Sequence, residues 1–232
     1  MFKTQNMTHD FSKRDHETVE FSKVSHPRIK IRPMYFEQGL SSYPYIFGRY
    51  AVLDRLLGAL SFLPENYGFL VWDVYRPRGV QRKLFELFSE KIRRASPHLS
   101  EQEHLVEVLK YVASPAKIGE SYCSPHLSGG AIDLTLFEMK EDKELDMGTV
   151  FDDYTQRAGR DYFALKTDLT AQERVFQERR NLLRQTMERV GFTSYEHEWW
   201  HFDIGNIFWG DVVKKPAVFG PLFGDEEWPS FV

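Results

Sequence analysis

Gly130-Ala131-Ile132-Asp133-Leu134-Thr135-Leu136 sets Ile132, Leu134 and Leu136 on one side and Ala131, Asp133 and Thr135 on the other. A period of two marks a strand that lays one face on an apolar layer. Asp133 then faces away from that layer. Just upstream, Ser124-Pro125-His126-Leu127-Ser128-Gly129 reads as a loop leading into the strand, and its glycines let backbone pass close to a metal or a substrate. Far along the chain, Glu198-Trp199-Trp200-His201 places a carboxylate and an imidazole three positions apart.

Together the two stretches read as one zinc site. A catalytic zinc takes three protein ligands and keeps one position open for water, and His126, Asp133 and His201 offer nitrogen, oxygen and nitrogen. Glu198 is left over as a base. Zinc lowers the pKa of bound water to about 7, so a neighbouring carboxylate can take its proton, which points toward hydrolysis. Beside Trp199 and Trp200, Glu198 is expected in a partly apolar environment, which raises a carboxyl pKa toward the range of a general base. Each stretch alone has a plainer alternative: a loop histidine beside an unrelated strand carboxylate, or a surface glutamate next to two core tryptophans. Their combination is far more specific than either part.

Working outward, Val52, Leu53, Leu56, Leu57 and Leu60 follow one helical face between Tyr50 and Leu60. Tyr67 to Val74 reads as a buried strand closed by Pro77, after which Val80, Leu84, Leu87, Phe88 and Ile92 restore the helical period. Ser100 with Glu103 makes a capping box for a helix over 101–113. Residues 137–170 hold Gly148 and Gly159 without a long periodic run and read as a surface excursion over the site, a lid. Val175, Leu182, Leu183, Met187 and Val190 fit a long helix stopping at Gly191, and Trp199 to Phe202 suggests a returning strand. The tail, with Pro216, Pro221 and Pro229, reads as irregular packing. The polar first 25 residues read as a flexible N-terminal arm, ahead of a single domain over 26–232.

Composition excludes several classes. In 232 residues, 30 basic and 34 acidic side chains are interspersed for a net charge of -4, which offers no cationic face to nucleic acid. Cys123 is the only cysteine, so neither an intrachain disulfide nor a zinc site built on several thiolates can form. No stretch reaches about 18 apolar residues, and Met1 to Glu20 lacks an apolar core, so neither a membrane anchor nor a secretory signal is expected. The expected location is cytoplasmic.

Arg76, in Asp73-Val74-Tyr75-Arg76-Pro77, could stabilise the oxyanion of a tetrahedral intermediate, or sit at the surface paired to Asp73. Asp152, in Met147-Gly148-Thr149-Val150-Phe151-Asp152, could attract a substrate ammonium, or serve as a cap or a solvated charge. His197 competes as a ligand, since 197, 199 and 201 share a face in a regular strand; a bulge or strand entry near 197–199 would instead let Glu198 and His201 converge. His9, His16, His26, His98 and His104 lie in polar segments and are expected to be solvated.

The chain resembles the D-alanyl-D-alanine dipeptidases of the VanX type, within the wider zinc D-Ala-D-Ala peptidases. The resemblance rests on Trp72-Asp73-Val74-Tyr75-Arg76-Pro77, Ser124-Pro125-His126 through Leu136, Asp146 to Asp152, and Glu198-Trp199-Trp200-His201-Phe202, in the family's order. It implies an α+β fold, a central antiparallel sheet flanked by helices with zinc in a cleft. It implies one Zn2+ per chain on His126, Asp133 and His201, Glu198 as general base, and Arg76 steadying the transition state. It further implies that Ser124 and Asp152 hold the termini of a small dipeptide. The expected activity is hydrolysis of D-Ala-D-Ala or a related D-configured dipeptide. The alternatives are a zinc D,D-carboxypeptidase acting on cell-wall peptides and a non-catalytic zinc-binding protein.

Overall fold

Every residue from Ala131 to Phe137 is buried, which makes this strand the middle of the sheet rather than a half-wetted one. The computed structural model describes residues 10–229. Its strands are β1 (Thr18–Glu20), β2 (Ile29–Ile31), β3 (Phe47–Arg49), β4 (Tyr67–Asp73), β5 (Ala131–Glu138), β6 (Lys143–Glu144), β7 (Thr193–Ser194) and β8 (His201–Asp203). Its helices are α1 (Met34–Glu37), α2 (Tyr50–Ala59), α3 (Arg78–Ala95), α4 (Glu101–Leu109), α5 (Ala171–Arg189) and α6 (Ile207–Val213). The main sheet runs β2-β4-β5-β8-β7, with β6 also on β5. All its pairs are antiparallel except β2 with β4. The fold is therefore the expected α+β arrangement of a mainly antiparallel sheet flanked by helices.

Register decides what the sheet is for. Asp133 on β5 pairs with Asp73 on β4 and with His201 on β8, so three adjacent strands present Asp73, Asp133 and His201 in one row. A shift in register between Val71 and Asp73 inserts Trp72 as a bulge, which re-aims the end of β4 toward that row. The apolar alternation of β5 feeds the core: Ile132, Leu134 and Leu136 are fully buried with Phe69, Leu183, Met187 and Phe202.

The helices form where the periodicity places them. α2 and α5 bury Leu56 and Leu183 against the same core, and α5 ends where Gly191 adopts φ 95°. Ser100 and Glu103 form the expected reciprocal cap of α4. That helix is shorter than expected, giving way to turns at 110–112 ahead of Pro115.

Two expectations need correction. From residue 10 onward the N-terminal segment is not a loose arm: β1 pairs antiparallel with β3, Phe21 is fully buried, and Phe11 meets Trp209 edge-on at 5.5 Å. A three-residue strand carries too little pattern to be seen in sequence, and its pairing with β3 and the packing of Phe11 and Phe21 hold it to the body. Residues 1–9 lie outside the described residues. The stretch 137–170 is likewise no loose lid, because Leu145, Met147, Phe151, Ala158 and Phe163 are buried and join it to the body.

Candidate active site

The row of register partners is completed by a tight loop. His126 opens a single helical turn, Gly129 adopts φ 69°, and at Gly130 a Cβ would lie 2.4 Å from the carbonyl of Ile204. Only glycine lets the start of β5 come that close to the end of β8. The imidazole of His126 then faces the row.

Hydrogen bonds set which nitrogen each imidazole turns inward. The carbonyl of Val74 can only accept, so His126 donates Nδ1–H to it at 2.8 Å and presents Nε2. His201 donates Nε2–H to Asp203 at 2.9 Å and presents Nδ1; Asp203 is itself held by the Asn206 amide at 2.6 Å. The inward nitrogens stand 3.1 Å apart, with Asp133 Oδ1 3.0 Å from His201 Nδ1 and Oδ2 3.3 Å from His126 Nε2. Tetrahedral ligands about 2.0–2.1 Å from one metal lie roughly 3.3 Å from each other. The donor set fits a divalent cation in spacing and in chemistry, and these three residues could hold one.

Without a cation the same geometry demands a proton. Burial pulls the His201 pKa down, but Asp203 and Asp133 outweigh it and hold it well above the ordinary imidazole value. Burial likewise raises Asp133, and the neighbouring His126 and His201 overcome this to hold its carboxyl well below the usual range. An incoming metal must displace the His201 proton, so affinity should rise with pH below the His201 pKa. Calorimetry in two buffers of different ionisation enthalpy should register net proton release on metal binding; a buffer-independent heat would contradict it.

Glu198 sits in the turn before β8 with its side chain 14% exposed, and its Oε2 is 3.8 Å from His201 Nδ1. It is close enough to reach a molecule bound at the row without being a member of it. Withdrawal from water, reinforced by Asp133 and Asp152 against His201 and Arg76, pushes its pKa up to about 8. His197 is half-exposed and lies 3.8 Å from Glu196. The backbone enters β8 only at His201, later than the expected entry near 197–199, so those residues are not in a strand and the alternation that would make His197 a ligand does not apply.

Arg76 is 8% exposed and faces the row, yet it is also paired to Asp73. Its Nε donates to Asp73 at 2.9 Å, Nη1 to the Gln81 amide oxygen at 3.1 Å and Nη2 to Asp133 at 3.1 Å, while its guanidinium lies 4.6 Å from the Tyr35 ring centroid. Asp73, Gln81 and Tyr35 were not singled out as site residues in the sequence. Only Asp73 left a signal, as a possible partner for Arg76.

Asp152 adopts φ 58°, a strained conformation for a non-glycine residue, and accepts a 3.3 Å hydrogen bond from the Tyr35 hydroxyl. Withdrawal from water outweighs Arg76 and lifts its pKa to about 7, with Asp133 and Asp73 adding to the rise. Its folded pKa lies above the unfolded value, so the metal-free protein loses stability as pH rises from about 4 to 7. Asp152→Asn should flatten that part of the stability profile in urea melts; an unchanged profile would contradict it. Ser124 is 3% exposed, and it lines the same cleft as Arg76, His126, Asp133, Asp152, Glu198 and His201. Among the other histidines, His104 is not solvated: it is 6% exposed, with Nε2 2.9 Å from the Ser89 carbonyl oxygen. His9 lies outside the described residues.

Comparison with known proteins bears on the same residues. Residues 51–215 match the profile of the M15 peptidase family described as D-ala-D-ala dipeptidase. A Synechocystis sp. D-alanyl-D-alanine dipeptidase is 28% identical over 196 residues, covering 79% of this chain and 77% of that protein. The Enterococcus faecium protein of the same name is 28% identical over 68% of this chain and 72% of its own length. The Enterococcus faecalis one is 29% identical over 66% and 70%. With a buried His-Asp-His donor set inside the matched span, the chain belongs to the D-ala-D-ala dipeptidase family of M15 metallopeptidases.

Proposed function

We propose that this chain hydrolyses D-alanyl-D-alanine, using one zinc ion per chain held by His126, Asp133 and His201. The observation that carries the reading is the convergence of those three donors at 3.0–3.3 Å with Glu198 alongside and Arg76 facing them. Zinc, when bound, polarises the peptide carbonyl and acidifies water. Glu198 takes the proton of the attacking water and returns it to the leaving amine nitrogen. Arg76, locked by Asp73, Gln81 and Asp133, keeps its remaining N–H groups for the oxyanion of the tetrahedral intermediate. Asp152 receives the substrate ammonium, and Ser124 binds near the other terminus.

A cleft that sets Arg76, Asp152 and Glu198 among apolar Leu84, Phe88 and Phe208 suits a free dipeptide, because a longer chain would leave a buried charge unpaired. The test offers zinc-loaded protein free D-Ala-D-Ala and a pentapeptide ending in the same pair, and compares D-alanine release. The dipeptide should be strongly preferred. Preference for the pentapeptide would favour the carboxypeptidase reading, and no cleavage of any D-dipeptide the non-catalytic one. Among the described residues no helix is long and apolar enough to cross a membrane. A cytoplasmic location and a substrate of cell-wall origin belong to this proposal. Recovery of the chain with the exported fraction of its source cells would overturn the location.

A further inference from the structure

Arg180, on the inner face of α5, is 4% exposed, and its hydrogen bonds all go to backbone carbonyls. Its Nε donates to Met147 at 2.8 Å and its Nη1 to Arg157 and Gly159, each at 3.0 Å. Nη2 has no hydrogen-bond partner among the described residues. The guanidinium lies against the rings of Phe163 and Trp199, at 4.6 and 5.5 Å. Burial, with repulsion from Arg157, brings its pKa down to about 9. A cation held in this way costs stability that a core leucine would not.

The carbonyls it grips share one property. Met147 and Arg157 bracket the stretch 148–156, which carries Asp152, and Gly159 lies just beyond it. Inside the bracket, Thr149 Oγ1 accepts from the Trp199 indole at 2.8 Å. Just past it, the Ala158 carbonyl accepts from Trp199 N at 3.0 Å, and Arg160 N donates to the Glu196 carbonyl at 3.0 Å. Those bonds hold the turn that presents Glu198. One side chain therefore closes the loop bearing one functional carboxylate, and that loop is tied to the turn bearing the other.

We propose that Arg180 is a positioning residue that sets the separation between Asp152 and Glu198, the groups assigned here to the substrate ammonium and to the base. It touches neither. The planar fork of arginine is needed because the gripped carbonyls lie on two sides of the guanidinium, whereas an ammonium is a single point. The metal ligands stand on β5, on β8 and in the turn before β5, outside its grip, so metal binding should not depend on it.

The assignment of roles rests on the proposed function, and the experiment keeps the two apart. Arg180→Lys and Arg180→Met are compared with the zinc-loaded wild type for kcat, KM, metal content and hydrogen–deuterium exchange. Both variants should keep the wild-type metal content, with KM raised and kcat lowered each by roughly tenfold to a hundredfold, the scale of about a 1 Å misplacement. Exchange should rise in 148–156 and 195–200 while β5 stays protected. A lower melting temperature with unchanged kcat and KM, or exchange rising evenly over the chain, would overturn the proposal. Should neither variant fold, Thr149→Val decides, since it cuts the loop's bond to Trp199: exchange rising at 195–200 supports the proposal, and unchanged exchange there overturns it. If the wild type cleaves no dipeptide, the proposed function fails, and the exchange data still decide whether Arg180 couples the two segments.

Discussion

Glu198→Gln should lower kcat by about 10²–10⁴ while leaving the metal content of the wild type intact. Glutamine keeps the shape and a hydrogen-bonding oxygen but cannot take a proton. The donor set does not need Glu198, because His126, Asp133 and His201 already converge without it. Glu198 titrates at about 8 in the metal-free protein because it is withdrawn from water beside Asp133 and Asp152. A cation among the three donors draws that value down, so the acid limb of kcat/KM should have its midpoint below pH 8. Activity is lost as pH falls through it, since the protonated carboxyl cannot act as a base. Steady-state rates across pH, with metal analysis of the same samples, check both parts. A variant that keeps its rate, or loses its metal, would contradict the assignment.

Arg76→Ala should cost both rate and fold. Removing one donor to a developing oxyanion costs about 10²–10³ in kcat, and removing one partner of a buried ion pair costs about 3–5 kcal/mol. Arg76 is that partner for Asp73 and Asp133 together, and its charge also favours ionised Asp152. Without it Asp73 and Asp152 hold their protons to higher pH in the folded state, so the variant should lose more stability as pH rises from 5 to 8. Urea melts of the metal-free protein at the two pH values measure the difference. Arg76→Lys should fall between the variant and the wild type, because a point charge cannot serve Asp73, Gln81 and Asp133 at once. Equal stability of wild type and Arg76→Ala at pH 8 would contradict the shared-charge account.

What the sequence made legible follows from the length of each signal. β5 and α5 run long enough for their periods to emerge, and β4 is a dense apolar and aromatic run closed by Pro77. β1, β2 and β3 span three residues each and β7 two, too short for any alternation to stand out. α6 spans seven residues just ahead of the proline-bearing tail, too short for its period to stand out, although Asn206 caps it by accepting from Trp209 N at 3.0 Å. The residues whose chemistry is unusual for their segment, such as Asp133 in an apolar strand, could be named in advance. Their supports could not. Gln81 is a polar position on α3, Tyr35 an aromatic in the four-residue α1 and Arg180 one of several arginines on α5, and nothing in the local pattern sets them apart. Each acquires its role only when register and packing bring distant stretches together. Asp203 is the instructive miss, since it follows His201 by two and so shares its face of the strand.

The central claim is that two imidazoles and one aspartate gather a single zinc ion beside Glu198. Anomalous diffraction from crystals of the zinc-loaded protein, collected on both sides of the zinc edge, tests it directly. The account predicts one strong peak per chain at about 2.0–2.2 Å from His126 Nε2, His201 Nδ1 and a carboxylate oxygen of Asp133. A peak elsewhere, or zinc bound through His197 in place of His201, would contradict it.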